Sequence, residues 1–176
     1  MMKQFVVTGG RATGKTSVVL GGGPWDDKPQ RWFGVCLLPV LPVIGHDGLP
    51  DVRLPIEDFG TPANPREVRE ALKKAIAAAL DGKLVYVGCM GGLGRTGLFL
   101  ALLVKALDAY TGNLGGIGFV AYVRSVYDRR AVETFEQAAY VAEFDVASIR
   151  RWIVWFRFKR FVSRFVKALI GPLGMD

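Results

Sequence analysis

The sequence predicts an α/β fold in which a mixed sheet is flanked by helices, with an extra C-terminal amphipathic helix. Short β-type runs come first, strand and helix signals then alternate, and helical patterns fill the rest. That order belongs to a sheet with helices packed against it. The length of 176 residues fits one domain with a real core and leaves no room for a second.

The runs Phe5 to Thr8, Ser17 to Leu20, Val35 to Leu38, Val52 to Leu54 and Leu84 to Val87 are each bounded by Gly, Pro or Asp and predict strands. Asn64-Pro65-Arg66-Glu67 predicts a helix start: Asn64 can cap, Pro65 suits the first helical position, and Glu67 can close a capping box. This helix runs to about Leu80, where Asp81-Gly82 stops it. A second helix is expected from near Arg95 to before Gly112, a third from about Gly116 to Val126. Thr134, with Gln137 three residues on, announces a fourth that continues to about Phe144. Residues 1–146 then form the main domain, and residues 147–176 a basic, aromatic helix and tail.

A hydrophobic fraction of 51% and a charged fraction of 22% are those of a compact globular protein. Cys36 and Cys89 lack the dense spacing of a secreted disulfide scaffold, so a reducing, cytoplasmic setting is expected. His46 is the only histidine and reads as a polar loop residue, so neither a metal site nor a cofactor is expected. Met1 to Val7 is too short an apolar run for a signal peptide. Leu98 to Val104, cut by Lys105, falls far short of the ~18 residues of a membrane span.

The chemistry concentrates in one segment. Leu84 to Gly97 passes from an apolar strand through Gly88-Cys89-Met90-Gly91-Gly92-Leu93-Gly94 into Arg95-Thr96-Gly97 and an apolar helix. Glycines let successive backbone N–H groups turn inward, and the positive end of the next helix adds its partial charge, so a phosphate dianion is favoured there. Cys89 sits at the mouth of that field, a setting that favours a thiolate, the nucleophile a phosphoryl group needs. Arg95 offers a planar fork for two phosphoryl oxygens. Thr96 can donate a hydrogen bond to the sulfur, or cap the helix; both readings stay open.

Cys89, five residues, Arg95, then Thr96-Gly97 resembles the signature of the cysteine-dependent protein tyrosine and dual-specificity phosphatases. The resemblance implies a mostly parallel central sheet, Cys89 as nucleophile, and Met90, Gly91, Gly92, Leu93, Gly94 and Arg95 as the phosphate cradle. It also implies a general acid on a separate loop, because the leaving oxygen must be protonated. Leu54-Pro55-Ile56-Glu57-Asp58-Phe59-Gly60-Thr61-Pro62 resembles the acid loop of these enzymes, particularly of the kinase-associated phosphatase-like branch, and makes Asp58 the candidate with Glu57 its rival. Tyr122 to Gln137 is similar to the stretch before the family's last domain helix, where a glutamine positions the hydrolytic water; Thr134 to Gln137 is equally a capping box. One departure stands out: the family usually has histidine before the nucleophile, and this chain has Gly88.

Two further signals compete. Gly9-x4-Gly14-Lys15-Thr16 satisfies a nucleotide-binding pattern, but Ser17-Val18-Val19-Leu20 runs into Gly21-Gly22-Gly23-Pro24 where a helix would be required. A hairpin tip between two strands is the expectation. From Arg150 to the end there are seven basic residues and one acid, while the rest of the +7 chain is nearly neutral. At ~100° per residue, Arg150, Arg157, Arg160, Arg164 and Lys167 form one face, and Trp155, Phe158, Phe161, Val162, Phe165, Val166 and Leu169 the opposite one. Such a helix either meets an anionic membrane or acidic partner, peripherally, or packs on the domain or an identical chain. Nucleic acid is not expected, since the charge lies on one short element without a recognised module.

These readings imply a phosphatase acting on phosphotyrosine, and on phosphoserine or phosphothreonine, in a phosphoprotein substrate, through a phosphocysteine intermediate. The alternatives are a phosphate-recognising binding module with little turnover, and a phosphoinositide phosphatase brought to membrane by its basic tail.

Overall fold

The computed structural model describes residues 2–8, 17–41, 49–107 and 118–170. Five strands form one sheet: β1 (Lys3–Thr8), β2 (Ser17–Pro24), β3 (Phe33–Cys36), β4 (Val52–Arg53) and β5 (Val85–Cys89). Their order is β1-β2-β5-β3-β4. Only β1 and β2 pair antiparallel; the β2–β5, β5–β3 and β3–β4 ladders are parallel, so the sheet is mixed and mostly parallel as expected. Each expected strand is present, displaced by one or two residues at its ends except for β2, which continues through Gly21-Gly22-Gly23.

Residues 9–16 and His46 lie outside the described residues. Thr8 nevertheless pairs with Ser17, and β2 extends where a nucleotide-binding loop would need a helix, in keeping with the hairpin reading.

The helices are α1 (Pro65–Leu80), α2 (Gly94–Ala106), α3 (Gly118–Val126), α4 (Phe135–Glu143) and α5 (Ala147–Ile170). Asn64 Oδ1 accepts from the Arg66 N–H at 3.0 Å, and its Nδ2 donates to Glu67 at 2.9 Å; this cap and Pro65 set the start of α1. Side chains alternate between the sheet faces. Val18, Leu20, Val35, Leu37, Val85 and Val87 face one continuous core that takes every buried apolar side chain of the helices. The opposite face is covered differently: Trp25, in a short 3-10 turn (Trp25–Asp27), and Trp32 close over Cys36, Leu38 and Tyr86.

α5 is anchored by its first turns. Ile149 and Ile153 enter the main core, Arg150 donates to the Lys105 carbonyl at 2.8 Å, and Arg160 pairs with Asp81 at the end of α1. Beyond Ile153 the apolar face formed by Trp155, Phe158, Phe161, Val162, Phe165 and Val166 is exposed and not packed on the domain.

β1 is tied to the turn after α3 by Lys3, whose Nζ lies 2.7 Å from Asp128. That hydrogen bond, helped by the Arg130 N–H, holds the Asp128 carboxyl well below the usual carboxylate range. A lowered folded-state value stabilises above the unfolded value of about 4, and this is lost as pH falls through the folded one. Asp128→Asn should therefore cost about 1.5–3 kcal/mol at pH 7. Urea unfolding of both proteins should show the gap closing below about pH 4; a gap independent of pH would refute this account.

Candidate active site

Parallel pairing brings three chain segments to one edge of the sheet. Pro24 of β2 lies opposite Cys89, and Cys36 of β3 lies opposite Gly88, so the loops leaving these strands meet around the end of β5. In open sheets with parallel strands this carboxyl edge is where ligands bind.

Cys89 is 2% exposed. Its Sγ accepts the Gly92 N–H at 3.2 Å and the Thr96 hydroxyl at 3.1 Å. Two hydrogen-bond donors thus converge on one sulfur. Thr96 thus faces the sulfur, while Leu93 holds the capping position of α2 and supplies no side-chain cap. Cys36 stands apart in the cluster on the other face, where burial pushes its thiol pKa up.

The loop closes tightly because Gly92 adopts φ +71°, and a Cβ there would stand 2.4 Å from the Gly23 carbonyl carbon. Only glycine meets both conditions. The Tyr127 hydroxyl donates to the Gly92 carbonyl at 2.5 Å. Burial first, then Cys89 and Asp128, pushes the pKa of Tyr127 up, which keeps it a neutral donor.

Arg95, at the start of α2, is 3% exposed. One guanidinium nitrogen donates to the Ile56 carbonyl at 3.0 Å, and another lies 2.8 Å from Asp58 Oδ1. The fork therefore grips the 54–62 loop at two points. Asp58, not Glu57, is the carboxylate on Arg95, and its side chain is 60% exposed, within reach of a ligand over the loop. The Gln137 amide is fully buried, with Oε1 accepting the Glu133 N–H at 3.0 Å and Nε2 donating to the Gly60 carbonyl at 3.1 Å. Its own N–H donates to Thr134 Oγ1 at 3.1 Å. The helix-capping arrangement is thus present, and Gln137 also holds the loop that carries Asp58.

Several supporting residues carried no sequence signal. Arg124 donates to the Ala131 and Val132 carbonyls at 2.9 and 2.8 Å, fixing the turn whose Val132 N–H reaches Leu93. Arg124 had stood only within the resembling stretch. Gly88 finds its reason in Trp25: a Cβ at residue 88 would lie 2.9 Å from both the Cα and the ring of Trp25. The space a side chain would need beside Cys89 is filled by an indole. Trp25, Asp26, Leu38, Leu41 and Met90, with Cys89 at the base, line a cleft of about 310 Å³. No group of three or more metal-ligating side chains occurs among the described residues.

No protein-family model matches the chain. Two uncharacterized proteins of Methanocaldococcus jannaschii, MJECL20 and MJ0215, are each 35% identical over 117 residues, 65% of this chain. The matches span 68% and 63% of those proteins' own lengths. A putative receptor-type tyrosine-protein phosphatase, mosPTP-1 of Aedes aegypti, is 34% identical over 95 residues, covering 52% of this chain and 7% of that protein. Among solved structures, kinase-associated phosphatase with its catalytic-site cysteine replaced by serine gives a TM-score of 0.57 at 17% identity, covering 81% of this chain and 93% of the other. Tk-PTP in its active form gives 0.55 at 24% identity, over 78% and 95%. The chain belongs to one family with MJECL20 and has the fold of the cysteine-dependent protein tyrosine and dual-specificity phosphatases.

Proposed function

We propose that this protein is a cysteine-dependent phosphomonoester hydrolase that acts on phosphotyrosine in protein substrates, and on phosphoserine and phosphothreonine. The observation that carries the reading is the convergence of two donors on the Cys89 sulfur beside an Arg95 fork that also holds Asp58. A thiolate at Cys89 attacks phosphorus, and the bond from phosphorus to the leaving oxygen breaks. Asp58, having taken up a proton on leaving Arg95, gives it to that oxygen. Water then attacks the phosphocysteine, Asp58 takes a proton from it, and the phosphorus–sulfur bond breaks to return the thiolate, with the Thr96 hydroxyl supporting the departing charge. Arg95 and the N–H groups of residues 90–95 hold the phosphoryl oxygens throughout.

Asp58 and the incoming phosphate compete for the same guanidinium. A dianion that engages Arg95 bidentately releases the carboxylate from it, so binding itself sets the acid free to reach the leaving group. Gln137 acts as a positioning residue through Gly60; orienting water would require its amide to leave that carbonyl. The cleft beside Cys89 favours an aryl leaving group, because Trp25, Leu38, Leu41 and Met90 offer apolar walls and Asp26 opposes further phosphates.

A second reading, a phosphate-binding module with little turnover, draws on Gly88, which leaves the nucleophile without the family's usual neighbour. Hydrolysis of an aryl phosphate separates the two. Wild type should release phosphate, Cys89→Ser should not, and Asp58→Asn should lower kcat about 10²–10⁴-fold for a poor leaving group. Release no greater than that of Cys89→Ser, with the serine variant still binding phosphopeptide, would replace the enzyme by the module.

Restoring the family's histidine at Gly88 should harm this chain, because the imidazole must displace Trp25. Gly88→His is expected to cost about 1–3 kcal/mol by overpacking, and pairing it with Trp25→Ala should recover part of that loss. Denaturant midpoints of the two single variants and the double variant test the coupling; additive losses would show that the two residues do not contend for one space.

A further inference from the structure

The outward half of α5 carries an exposed apolar stripe. Trp155, Phe158, Phe161 and Phe165 are 53%, 64%, 68% and 58% exposed, and Val162 and Val166 lie beside them. At 1.5 Å per residue the stripe runs for roughly 18 Å. Such a surface, contiguous and aromatic, is characteristic of an interaction site.

Its direction is fixed by what holds the other side of the helix. Ile149 and Ile153 enter the core, Arg160 pairs with Asp81, and Arg157, Arg160, Phe161 and Arg164 border a cleft of about 320 Å³ with Leu80. Arg157 and Arg160 therefore turn toward the domain, Phe161 stands at the rim of that cleft, and Trp155, Phe158 and Phe165 turn away from it. Lys159 lies 4.5 Å from the centre of the Trp155 ring, at the margin between the two faces.

Charge decides among the possible occupants. α5 contains seven Arg or Lys and no Asp or Glu. A second copy's α5 laid along the stripe would bring its own Arg151 and Lys159, the exposed cations beside these aromatics, and no carboxylate of that helix to meet them. An anionic lipid surface supplies both missing complements: acyl chains for the aromatic stripe and headgroup phosphates for the flanking cations. We propose that α5 lies in the plane of an anionic membrane surface, with Trp155, Phe158, Phe161 and Phe165 inserted at the headgroup level and Arg151 and Lys159 at the phosphates. No helix among the described residues is long and apolar enough to cross a membrane, and the proposed contact is interfacial.

Co-sedimentation of the full chain with phosphatidylcholine vesicles, with and without about 30% phosphatidylserine, tests this. The protein should pellet at least about tenfold better with the anionic vesicles, and about 0.5 M salt should weaken that binding. Phe158→Glu/Phe161→Glu should abolish pelleting, and Arg151→Glu/Lys159→Glu should reduce it about tenfold or more. All four positions are exposed, so circular dichroism and hydrolysis of a soluble aryl phosphate should not change. Equal pelleting with neutral and anionic vesicles, or none with either, would overturn the proposal. So would a solution dimer that the phenylalanine pair dissolves while vesicle binding is absent, which would assign the stripe to a second copy.

Discussion

The parallel register of β2, β5 and β3 sets every distance at the candidate site. Pro24 opposite Cys89 and Cys36 opposite Gly88 place three loops around one strand end. The contact of Gly92 with Gly23 then locks the 89–94 loop against the end of β2. A register shift of one residue would turn Cys89 to the opposite face of the sheet, away from α2 and Thr96. The positive φ of Gly92 and the Tyr127 hydrogen bond to its carbonyl act on the same short stretch, so loop shape rests on packing from both sides. A loop whose backbone amides must face a common centre needs that rigidity, because amides oriented in advance bind an anion without reorganising.

Arg95 connects this rigid loop to a more exposed one. Its guanidinium is buried, yet it reaches the Ile56 carbonyl and Asp58, while Gln137 and Thr134 touch Gly60 and Phe59 from the other side. The 54–62 loop is thus held between α2 and α4 by polar contacts, with Leu54 and Ile56 in the core and Pro62 buried at its end. Polar suspension suits an element that exchanges one partner for another, since hydrogen bonds to a ligand can replace those to a side chain at little net cost. A loop held by apolar burial would resist the same movement.

The strands, helices and cysteine-to-arginine loop were legible in the sequence because each is local. Glycine spacing, caps such as Asn64, and apolar runs act within a few residues of the structure they cause. What was hidden depends on contacts between distant segments. Trp25 fills the space above Gly88 from 63 positions earlier in the chain, and nothing around either residue announces the other. Tyr127 and Gly92 likewise meet only after α3 has packed on α2. Thr96 had two locally equivalent roles, and only the path of the loop aims its hydroxyl at the sulfur. The amphipathic pattern of α5 was visible, but which face met the domain was not: Ile149 and Ile153 direct one edge of the helix inward, and helical geometry then carries the aromatic stripe outward.

Gly88 and Trp25 recast the departure from the family pattern as a substitution of one physical device for another. A histidine before the nucleophile would contribute charge and a hydrogen bond; an indole in that space contributes volume and excludes water. Excluding water strengthens the interactions that remain, here the Gly92 and Thr96 donors on the sulfur and the Arg95 fork beside it. Trp25 also walls the cleft beside Cys89, so one side chain shapes both the surroundings of the sulfur and the cleft next to it. The two demands oppose each other at a single position, because a larger residue at 88 would push the indole into the cleft. Glycine at residue 88 is what lets Trp25 serve both.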